Sequence, residues 1–394
     1  MFAAALAGAI YSFLYARAAW LFKQDTAVSV PAAVRLVPYA SDYLARLASW
    51  IPDKKIALLR RAVELNPFDS DSWIQLGFAA EYQRHDKATA ERFFLRAAEV
   101  NRMFRPKWTL ANFYFRQGRT EEFFRWANAS LTITPYPPDP IFEQMWAMDA
   151  DGGRIAAAVP NRPRILLAYA WFLSNRDRTG TIPAIVDRLI AAVGNRAPHA
   201  WGRDDLLPAI EDRLLAAGDR DAALHLWNTL AKAGWIQQGV PSIARPVTNG
   251  DFRRPLFRHG FDWMPAEIDG LHIVTFPSTG MLRIELSGDQ PENCVLLRQY
   301  LPVKPGSAYT VEWHAAAQLA ETPGGIRWHL KSARTGVESE PASADLSVSP
   351  IGVWRVRAPL DSDIGVLSLE CSRPLGRLRA RGAVILRSVS AKLQ

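Results

Sequence analysis

The stretch "KKIALLRRAVELNPFDSDSWIQLGFAAEYQ", residues 54–83, contains two helical patterns that are separated by a short polar turn. Apolar residues recur every three or four positions before Asn66, and the same spacing resumes after the turn. Pro67 cannot continue a helix, and Asp69 or Ser70 is a suitable N-cap for the helix that follows. The stretch therefore predicts one helix, a tight turn and a second helix.

This pattern recurs through the N-terminal half of the chain. Successive copies close 29, 35 and 33 residues apart, at Pro38, Pro67, Arg102 and Pro135. The openings also match, because Trp73 is followed one period of 35 residues later by Trp108. A period near 34 with paired helices resembles the tetratricopeptide repeats. The resemblance implies an all-α helical-repeat solenoid, which we expect over residues 26–238.

Each predicted helix has one apolar stripe that it can bury only against its neighbours, so the helices must stack. Four large residues are interpreted as core wedges between helices: Trp73, Leu76, Phe94 and Trp108. Tetratricopeptide solenoids commonly hold a peptide or another protein on their concave face and rarely catalyse reactions. The resemblance therefore implies a protein partner on the concave face of this region.

The first residues form a separate apolar segment. The run "MFAAALAGAIYSFLYA", residues 1–16, is uncharged, and Arg17 is close enough to its end to snorkel towards headgroups. No basic leader precedes the run, which leaves a cleaved signal peptide and a buried helix as the weaker alternatives. We expect residues 1–23 to be the transmembrane anchor of a single-pass membrane protein. We expect an extracytoplasmic body, although the basic residues that follow the span favour the opposite orientation.

The pattern changes after Pro241, where helical periodicity gives way to short alternating runs such as "LHIVTF" and "GVWRVR". About eight such runs are separated by glycine, proline, serine and aspartate, which is typical of an all-β sandwich. We predict this sandwich over residues 245–394. Its opening, "VTNGDFRRPLFRHGFDWMP", is expected to begin the first strand and to deliver Phe261 and Trp263 into the core.

The C-terminal region resembles the jelly-roll carbohydrate-binding modules and the related galactose-binding-like domains. The resemblance rests on the Asn-Gly-Asp-Phe opening, the closing strand "GAVILRSVSAKL" and a central motif formed by Gln299, Val303, Pro305, Gly306 and Tyr309. It implies a jelly-roll fold and contact with a glycan. Relatives usually place an aspartate in the last strand beside a structural calcium, whereas this chain has Arg387 and Ser388 there. We therefore expect no metal, despite Asn249, Asp251 and Asp262 nearby.

Strand alternation predicts a polar sheet face on this sandwich. Its proposed ligand-binding residues are Arg283, Glu285, Glu312, His314, Arg327, His329 and Arg355. Such a set can hydrogen-bond a sugar or hold a carboxylated or phosphorylated glycan. The alternative is the solvated outer face that antiparallel sheets routinely keep. The segment "GRLRARG" adds Arg377, Arg379 and Arg381, which are interpreted as a charged edge that discourages aggregation.

The formal net charge of +8 and the pI near 9.6 suit an anionic partner such as an acidic polysaccharide, although scattered arginines also fit a solvated surface. We expect no nucleic acid partner. The two cysteines, Cys294 and Cys371, are too few for a disulfide framework, and the sequence leaves open whether they pair.

Motifs for catalysis are missing from the sequence: it has no phosphate loop, no HExxH, no GxSxG and no Cys-x-x-Cys. We therefore predict no enzyme activity and no cofactor. The expected function is that of a membrane-anchored scaffold, with repeats that dock a protein partner and a sandwich that contacts an envelope glycan or protein, as an accessory to polysaccharide synthesis or export. Two alternatives remain: a glycan-active enzyme with its site on the sandwich, and a cytoplasmic scaffold whose sandwich is purely structural.

Overall fold

A computed structural model describes residues 2–194, 206–319, 325–338, 340–373, 376 and 378–394. The chain divides into two compact units, Met1–Pro160 and Asn161–Gln394. The first unit is helical, and the second contains further helices followed by two antiparallel sheets. Helical repeats followed by a β domain are therefore confirmed.

The helices of the first unit follow one another closely. They are α1 (Phe2–Gln24), α2 (Ser29–Leu36), α3 (Ser41–Trp50), α4 (Lys55–Leu65), α5 (Ser70–Phe78), α6 (Lys87–Val100), α7 (Phe104–Arg116), α8 (Thr120–Leu131), α9 (Asp139–Met148) and α10 (Gly152–Ala158). A 3₁₀ turn, Pro52–Lys54, precedes α4, and a π turn, Ala79–Gln83, extends α5. Residues 161–232 add α11 (Pro163–Ser174), a 3₁₀ turn (Thr179–Thr181), α12 (Ile182–Val193), α13 (Leu206–Ala216) and α14 (Arg220–Lys232).

The pair α5–α6 is repeated by the pair α7–α8 at the predicted period. Helix α4 ends before Pro67, and the Asp69 carboxylate caps α5 by accepting the backbone N–H groups of Asp71 and Ser72. Phe94 of α6 packs edge-on against Phe78 of α5, with ring centroids 5.1 Å apart. Of the four expected core wedges, two are buried and two are half-buried: Leu76 and Phe94, and Trp73 and Trp108, respectively.

The prediction of a membrane-spanning anchor over residues 1–23 is wrong. In the described part of the chain, helices fall short of the length and apolar character that crossing a membrane requires. Helix α1 carries Ser12 and Arg17 within its run, and its last turns belong to the helical core instead. Ala18 is buried there, and the ring of Phe22 stacks on Tyr43 of α3 with centroids 4.3 Å apart. The predicted single-pass membrane localisation is therefore also wrong.

The β domain consists of two antiparallel sheets that enclose one core. Its strands are β1 (Met264–Pro265), β2 (Leu271–Phe276), β3 (Met281–Leu286), β4 (Asn293–Pro302), β5 (Ala308–Leu319), β6 (Ile326–Ser332), β7 (Ile351–Arg357), β8 (Ile364–Ser372) and β9 (Gly382–Leu393). The four-stranded sheet has the order β1-β4-β8-β6, and the five-stranded sheet has the order β2-β3-β9-β5-β7. Side chains alternate between the core and the outer face, as the sequence pattern predicts.

Two residues of the central motif bind the segment that leads into the sandwich. The buried Gln299 amide donates to the carbonyl oxygen of Thr248 at 3.0 Å. The Tyr309 hydroxyl donates to the carbonyl oxygen of Ile243 at 3.1 Å. One glycine is also required, because the Trp313 indole occupies the space beside Gly352, its cross-strand partner on β7. A Cβ atom at Gly352 would lie 2.0 Å from the Trp313 ring.

The opening segment "VTNGDF" to "GFDW" is a buried hydrogen-bond cluster. Asp262 is fully buried, and its carboxylate accepts the Phe257 N–H at 2.5 Å and the amide of Gln238 at 3.3 Å. Burial raises the pKa of Asp262, although these hydrogen bonds oppose the increase. Trp263 enters the sandwich core as predicted. Phe261 is also fully buried, but its ring meets Trp227 of α14 edge-on, with centroids 5.9 Å apart.

Helices α13 and α14 pack directly on this opening segment. The buried Trp227 donates its indole N–H to the carbonyl oxygen of Gly239 at 2.9 Å. Asp212 of α13 lies 2.6 Å from His259 and accepts the Gly260 N–H at 2.7 Å. The compact units accordingly divide between Pro160 and Asn161. The predicted division into repeats over 26–238 and a sandwich over 245–394 stays a prediction.

Candidate functional site

The seven proposed ligand-binding residues lie on the outer faces of both sheets. On the five-stranded sheet, β3 carries Arg283 and Glu285, β5 carries Glu312 and His314, and β7 carries Arg355. Arg327 and His329 lie on β6, which belongs to the four-stranded sheet. The structure therefore distributes the set over three places, and the sequence pattern did not reveal this because alternation gives the face of each strand but not its sheet.

The first place is a polar cleft of about 660 Å³ on the five-stranded sheet. Arg283 and Glu285 lie in its wall, where the guanidinium Nε donates to the Glu285 carboxylate at 2.7 Å. His272, Gln318 and Arg381 also line the cleft, together with Ser287. The cleft forms because β2 and β3 pair in register beside β9, which brings Glu285 opposite His272. Its three cationic or potentially cationic groups lie on β2, on β3 and directly before β9, so an anion can be held between them.

His272, Gln318 and Arg381 are functional candidates that the sequence analysis did not select. His272 has no metal-ligand spacing with the other histidines of the sequence, and the pattern "GRLRARG" indicates a charged edge for Arg381. Their signal was the strand register, which places Gln318 opposite Ala383 of β9. Register is not readable from a single sequence when several strands have similar lengths. Arg377, which was assigned to the same edge, lies outside the described residues.

The second place is the pair of strands β5 and β7. Glu312 lies opposite Val353, His314 lies opposite Ile351, and Arg355 lies opposite Thr310. All three predicted polar side chains are exposed.

The third place is the outer face of β6, where the Arg327 guanidinium donates to the carbonyl oxygen of Ser343 at 3.3 Å and His329 and Lys331 take part in an ion-pair network. His329 lies 2.5 Å from the carboxylate of Glu338, and the Lys331 ammonium lies 2.6 Å from that of Glu370. Burial would raise the pKa of Glu370, but hydrogen bonds from Lys331 and Ser368 outweigh it and hold the pKa below its usual value. This network is internally satisfied, which favours a structural role for His329.

The helical repeats present a second candidate site, formed by one residue after each repeat-closing position. These residues are Tyr39, Phe68, Met103 and Tyr136, with exposed fractions of 50%, 74%, 71% and 61%. Single exposed apolar residues are normal on protein surfaces. Recurrence at the same position of four successive repeats is not accounted for by chance exposure. We call this set the apolar row.

Three members of the apolar row are held by the same local turn. The side-chain oxygen of Asn66 accepts the Phe68 N–H at 3.2 Å, and that of Asn101 accepts the Met103 N–H at 2.9 Å. In the next repeat, the Thr134 hydroxyl accepts the Tyr136 N–H at 3.1 Å. Asn and Thr side chains commonly form such turns with the N–H two residues later.

Neighbouring turns of the row contact one another. The Asn101 amide donates to the Ser70 hydroxyl at 2.9 Å, so the turn of one repeat lies against the helix start of the previous one. The ring of Tyr136 meets Phe104 edge-on, with centroids 5.5 Å apart. The turns are therefore fixed relative to one another, which gives the row a defined spacing.

Two kinds of chemistry have little support in the described residues. Within the described ranges, no group of three or more His, Cys, Asp or Glu side chains is arranged to hold a metal ion. Cys294 and Cys371 are free thiols that lie directly opposite each other on β4 and β8. Burial raises the pKa of Cys371 to about 11, and it also raises that of Cys294. Neither thiol is therefore an activated nucleophile at neutral pH.

No protein-family model and no curated protein sequence matches this chain. Solved structures with similarity to it include PilF of Pseudomonas aeruginosa, at 18% identity over 49% of this chain and 91% of that chain, with a TM-score of 0.26. PilW, a type IV pilus biogenesis factor, is 13% identical over 58% of this chain and 96% of its own, with a TM-score of 0.26. YrrB, a tetratricopeptide protein with an unusual peptide-binding site, is 10% identical over 53% of this chain and 93% of its own, with a TM-score of 0.25. These TM-scores are low, so the assignment of a repeat architecture rests on the helix pairs of this chain and not on the similarity.

Proposed function

We propose that the chain is a non-catalytic scaffold that binds a protein partner through its tetratricopeptide-like helical repeats. The observation that carries this proposal is the apolar row, whose members recur once per repeat and of which three lie in turns of the same kind. A partner that presents apolar side chains at a matching spacing would bury all four residues at once. Regular spacing makes such a contact additive along the solenoid, as expected for repeat proteins.

The apolar row also modifies the predicted place of binding. The sequence predicts a partner on the concave face, whereas the row follows the loops between repeats. Aromatic and methionine side chains are enriched at protein interfaces, and the row consists of three aromatic residues and one methionine. Its turns are rigidly held, so little ordering entropy opposes binding.

Site-specific photo-crosslinking tests this proposal. A benzophenone amino acid is placed at position 68, 103 or 136, and a matched control carries it at Tyr82, which is exposed on α5's π turn but outside the row. We expect one protein to be captured from all three row positions and not from position 82. Replacement of Phe68, Met103 and Tyr136 by serine should then weaken binding of that purified partner at least about tenfold, with unchanged cooperative unfolding. Equal capture from all four positions contradicts the proposal.

A second function is favoured by the polar cleft, which suits a carboxylate-bearing sugar. Arg283 and Arg381 lie in its lining with His272, and a guanidinium keeps free donors after one hydrogen bond to Glu285. Glycoside hydrolysis normally uses a pair of carboxylates, whereas Glu285 is the one carboxylate among the described lining residues. This supports binding rather than hydrolysis.

Calorimetric titration with oligogalacturonate, beside a neutral glucan of equal length, tests the cleft. We expect binding of the acidic sugar alone, which Arg381→Ala should weaken about tenfold because a charge-assisted hydrogen bond is lost. The matched control is Arg379→Ala, two residues away and outside the cleft lining. Equal losses in both variants would indicate general charge attraction and would remove the site.

A further inference from the structure

Strand β7 is an edge of the five-stranded sheet that remains open in the described part of the chain. It pairs with β5 on one side, and the sheet order places no strand on its other side. Ile351 and Val353 on its outer face are 69% and 65% exposed. Natural proteins usually protect such edges with charges, prolines or bulges, because an open apolar edge is a template for strand pairing. The exposed apolar residues therefore need an explanation.

The hydrogen-bond register shows which backbone groups of β7 are free to bind. Ala315 donates its N–H to the carbonyl oxygen of Pro350 at 2.7 Å, and Ala358 donates to that of Ser307 at 2.9 Å. In an antiparallel ladder alternate residues bond to the same neighbour, so the residues between these pairs face the other way. The N–H and C=O groups that point to the open edge belong to Ile351, Val353, Arg355 and Arg357. Among the described residues, none of these groups has a backbone partner beyond the sheet.

The charged side chains beside this edge differ between its two halves: Glu312 of β5 lies opposite Val353, whereas the cations lie further along the strand. Arg355 lies opposite Thr310, which in turn lies opposite Lys392 of β9, so two cations flank one position. Arg357 is two residues further along, and its Nε lies 3.6 Å from a carboxylate oxygen of Glu340. The C-terminal half of the edge thus carries two arginines, one of them beside Glu340, while the exposed β7 side chains of the N-terminal half are the apolar Ile351 and Val353.

We propose that β7 binds an extended segment of a partner protein by antiparallel strand addition. Main-chain hydrogen bonds would supply affinity, and alternate side chains would supply specificity. Because the segment runs antiparallel to β7, its N-terminal residues lie opposite the two arginines and its C-terminal residues lie opposite Ile351 and Val353. The matching pattern is acidic-x-acidic-x-apolar-x-apolar. This surface is separate from the apolar row and from the polar cleft, and the proposal does not depend on either.

A second copy of the chain fits the same edge less well. Pairing of two β7 strands would bring together two chains that each carry a net charge of +8. The strand "IGVWRVR" also contains no carboxylate that can face Arg355. Charge complementarity therefore favours an acidic segment from a different protein.

Fluorescence anisotropy of a labelled seven-residue peptide tests the proposal on the full-length chain. The peptide carries aspartate and glutamate at positions one and three, valine and isoleucine at positions five and seven, and threonine elsewhere. We expect saturable binding that weakens at least about fivefold when both acidic residues become lysine, because opposite-charge pairs across strands are lost. Absence of saturable binding at millimolar peptide overturns the proposal.

Val353→Pro is the sharpest variant, because it removes one outward N–H donor without touching the outer charges. Proline is tolerated in edge strands where the N–H faces solvent. We expect at least about tenfold weaker binding from the lost hydrogen bond. The matched control is Thr275→Pro on β2, the opposite edge, where the bond from Ser287 N–H to Gly270 O puts the Thr275 N–H outward as well. The control should bind the peptide like the parent chain, and equal losses in both variants overturn the proposal.

A charge exchange keeps the proposal testable if Val353→Pro does not fold. The double variant Arg355→Glu/Arg357→Glu should bind the acidic peptide at least about fivefold more weakly and the lysine peptide more tightly than the parent chain. Loss of both peptides, or of neither, contradicts the assigned pairing. Light scattering that shows a dimer sensitive to Val353→Pro would assign the edge to a second copy and overturn the acidic partner.

Discussion

Helices α5–α8 and helices α13–α14 have the same amphipathic pattern, but different partners cover their apolar stripes. The former pack on helices of the adjacent repeats. Helices α13 and α14 pack on α11 and α12 and, in addition, contact residues 257–263 of the β domain through the buried Trp227 and the partly exposed Asp212. Helical periodicity therefore identifies a buried stripe without identifying what buries it. The difference matters for function, because a stripe covered by a β domain is unavailable to a partner.

Polar contacts also differ between the repeats and helix α13. In the repeats they recur between equivalent positions, as between Arg105 and Asp71 at 2.7 Å and between Arg116 and Glu81 at 2.7 Å. At α13 the buried Glu211 has no hydrogen-bond partner among the described residues. Burial, and then the charge of Asp212, raises the pKa of Glu211 well above its usual value.

The largest expected effect comes from truncation, which compares two divisions of the chain. A fragment of residues 161–394 keeps α13 and α14 on the opening segment and should unfold cooperatively on heating. A fragment of residues 245–394 leaves Phe257 and Phe261 without Trp227, and it lacks the Gln238 amide that binds Asp262. We expect it to lose most of its stability, since a domain is only about 5–15 kcal/mol more stable than its unfolded chain. Equal melting temperatures for the two fragments would favour the boundary predicted from sequence.

In the full-length chain, Trp227→Ala should destabilise the unit of residues 161–394 by about 3–5 kcal/mol, because a fully buried indole is replaced by a cavity. Urea unfolding measures the change. The matched control is Trp20→Ala in α1, where the indole is 63% exposed and the expected loss is below about 1 kcal/mol. Similar losses for both tryptophans would mean that α14 does not share a core with the β domain.

Gly77→Ala tests the close helix contact within a repeat. An added Cβ would lie 2.4 Å from the ring of Phe94, which is fully buried and cannot move freely. We expect a loss of about 1–3 kcal/mol from overpacking, despite the better helix propensity of alanine. Combination with Phe94→Leu should recover part of that loss in urea unfolding. A stabilised single variant would show that α5 and α6 separate without cost.

The contact of α13 and α14 with residues 257–263 should lose stability as the pH rises, unlike the repeats. Glu211 and Asp262 have raised pKa values from burial, and the hydrogen bond with Asp212 raises the pKa of His259. A raised folded-state pKa means that the folded state binds more protons, so its contribution is complete below the unfolded pKa and is lost as the pH climbs through the folded pKa. For the carboxyl groups this loss begins near about pH 4, and for His259 near about pH 6.5.

Glu211→Gln isolates one of these groups. The neutral amide should leave stability unchanged near pH 4 and increase it by about 1 kcal/mol near pH 8, since an unpartnered buried charge is removed. Chemical unfolding at both pH values gives the difference. The remaining slope belongs to Asp262 and His259. A variant that is destabilised equally at both pH values would show that Glu211 has a charged partner when folded.

The smallest effect is expected at the surface of the repeats. Arg105→Ala removes an exposed ion pair with Asp71, and such pairs contribute about 0–1 kcal/mol. The difference between variant and parent should shrink further in 0.5 M salt because of screening. A salt-independent loss above that range would indicate that this contact determines how neighbouring repeats stack.

The sequence predicted the helix pairs because each one carries its own signals. Pro67 and the Asp69 cap mark a boundary locally, and the 34-residue recurrence confirms it. The two-sheet β domain was also predicted, since alternation is a local property. The predicted shared face of Arg283 and Arg327 is not observed, because alternation does not show which strands join which sheet and the two residues lie on different sheets. The transmembrane prediction failed for a related reason: hydropathy does not show that Phe22 packs on Tyr43.

The apolar row was within reach of the sequence, since each member directly follows a repeat-closing position. The repeat period places the four residues at corresponding positions, but it does not show that all four side chains are exposed. The open edge of β7 was not within reach. Its exposure depends on the sheet order and on the register between β5 and β7, both of which require the folded chain.

The packing of Trp313 on Gly352 has a consequence for how this chain can diverge. Because the Trp313 indole fills the space that a side chain at position 352 would need, a substitution at one position constrains which residues the other can accept. We expect homologues in which position 352 has gained a side chain to have a small residue at position 313, and an intermediate with only one change to be selected against. Comparison of the two positions across descendants of a common ancestor would reveal the linkage, and independent drift at either would show that the pocket tolerates both.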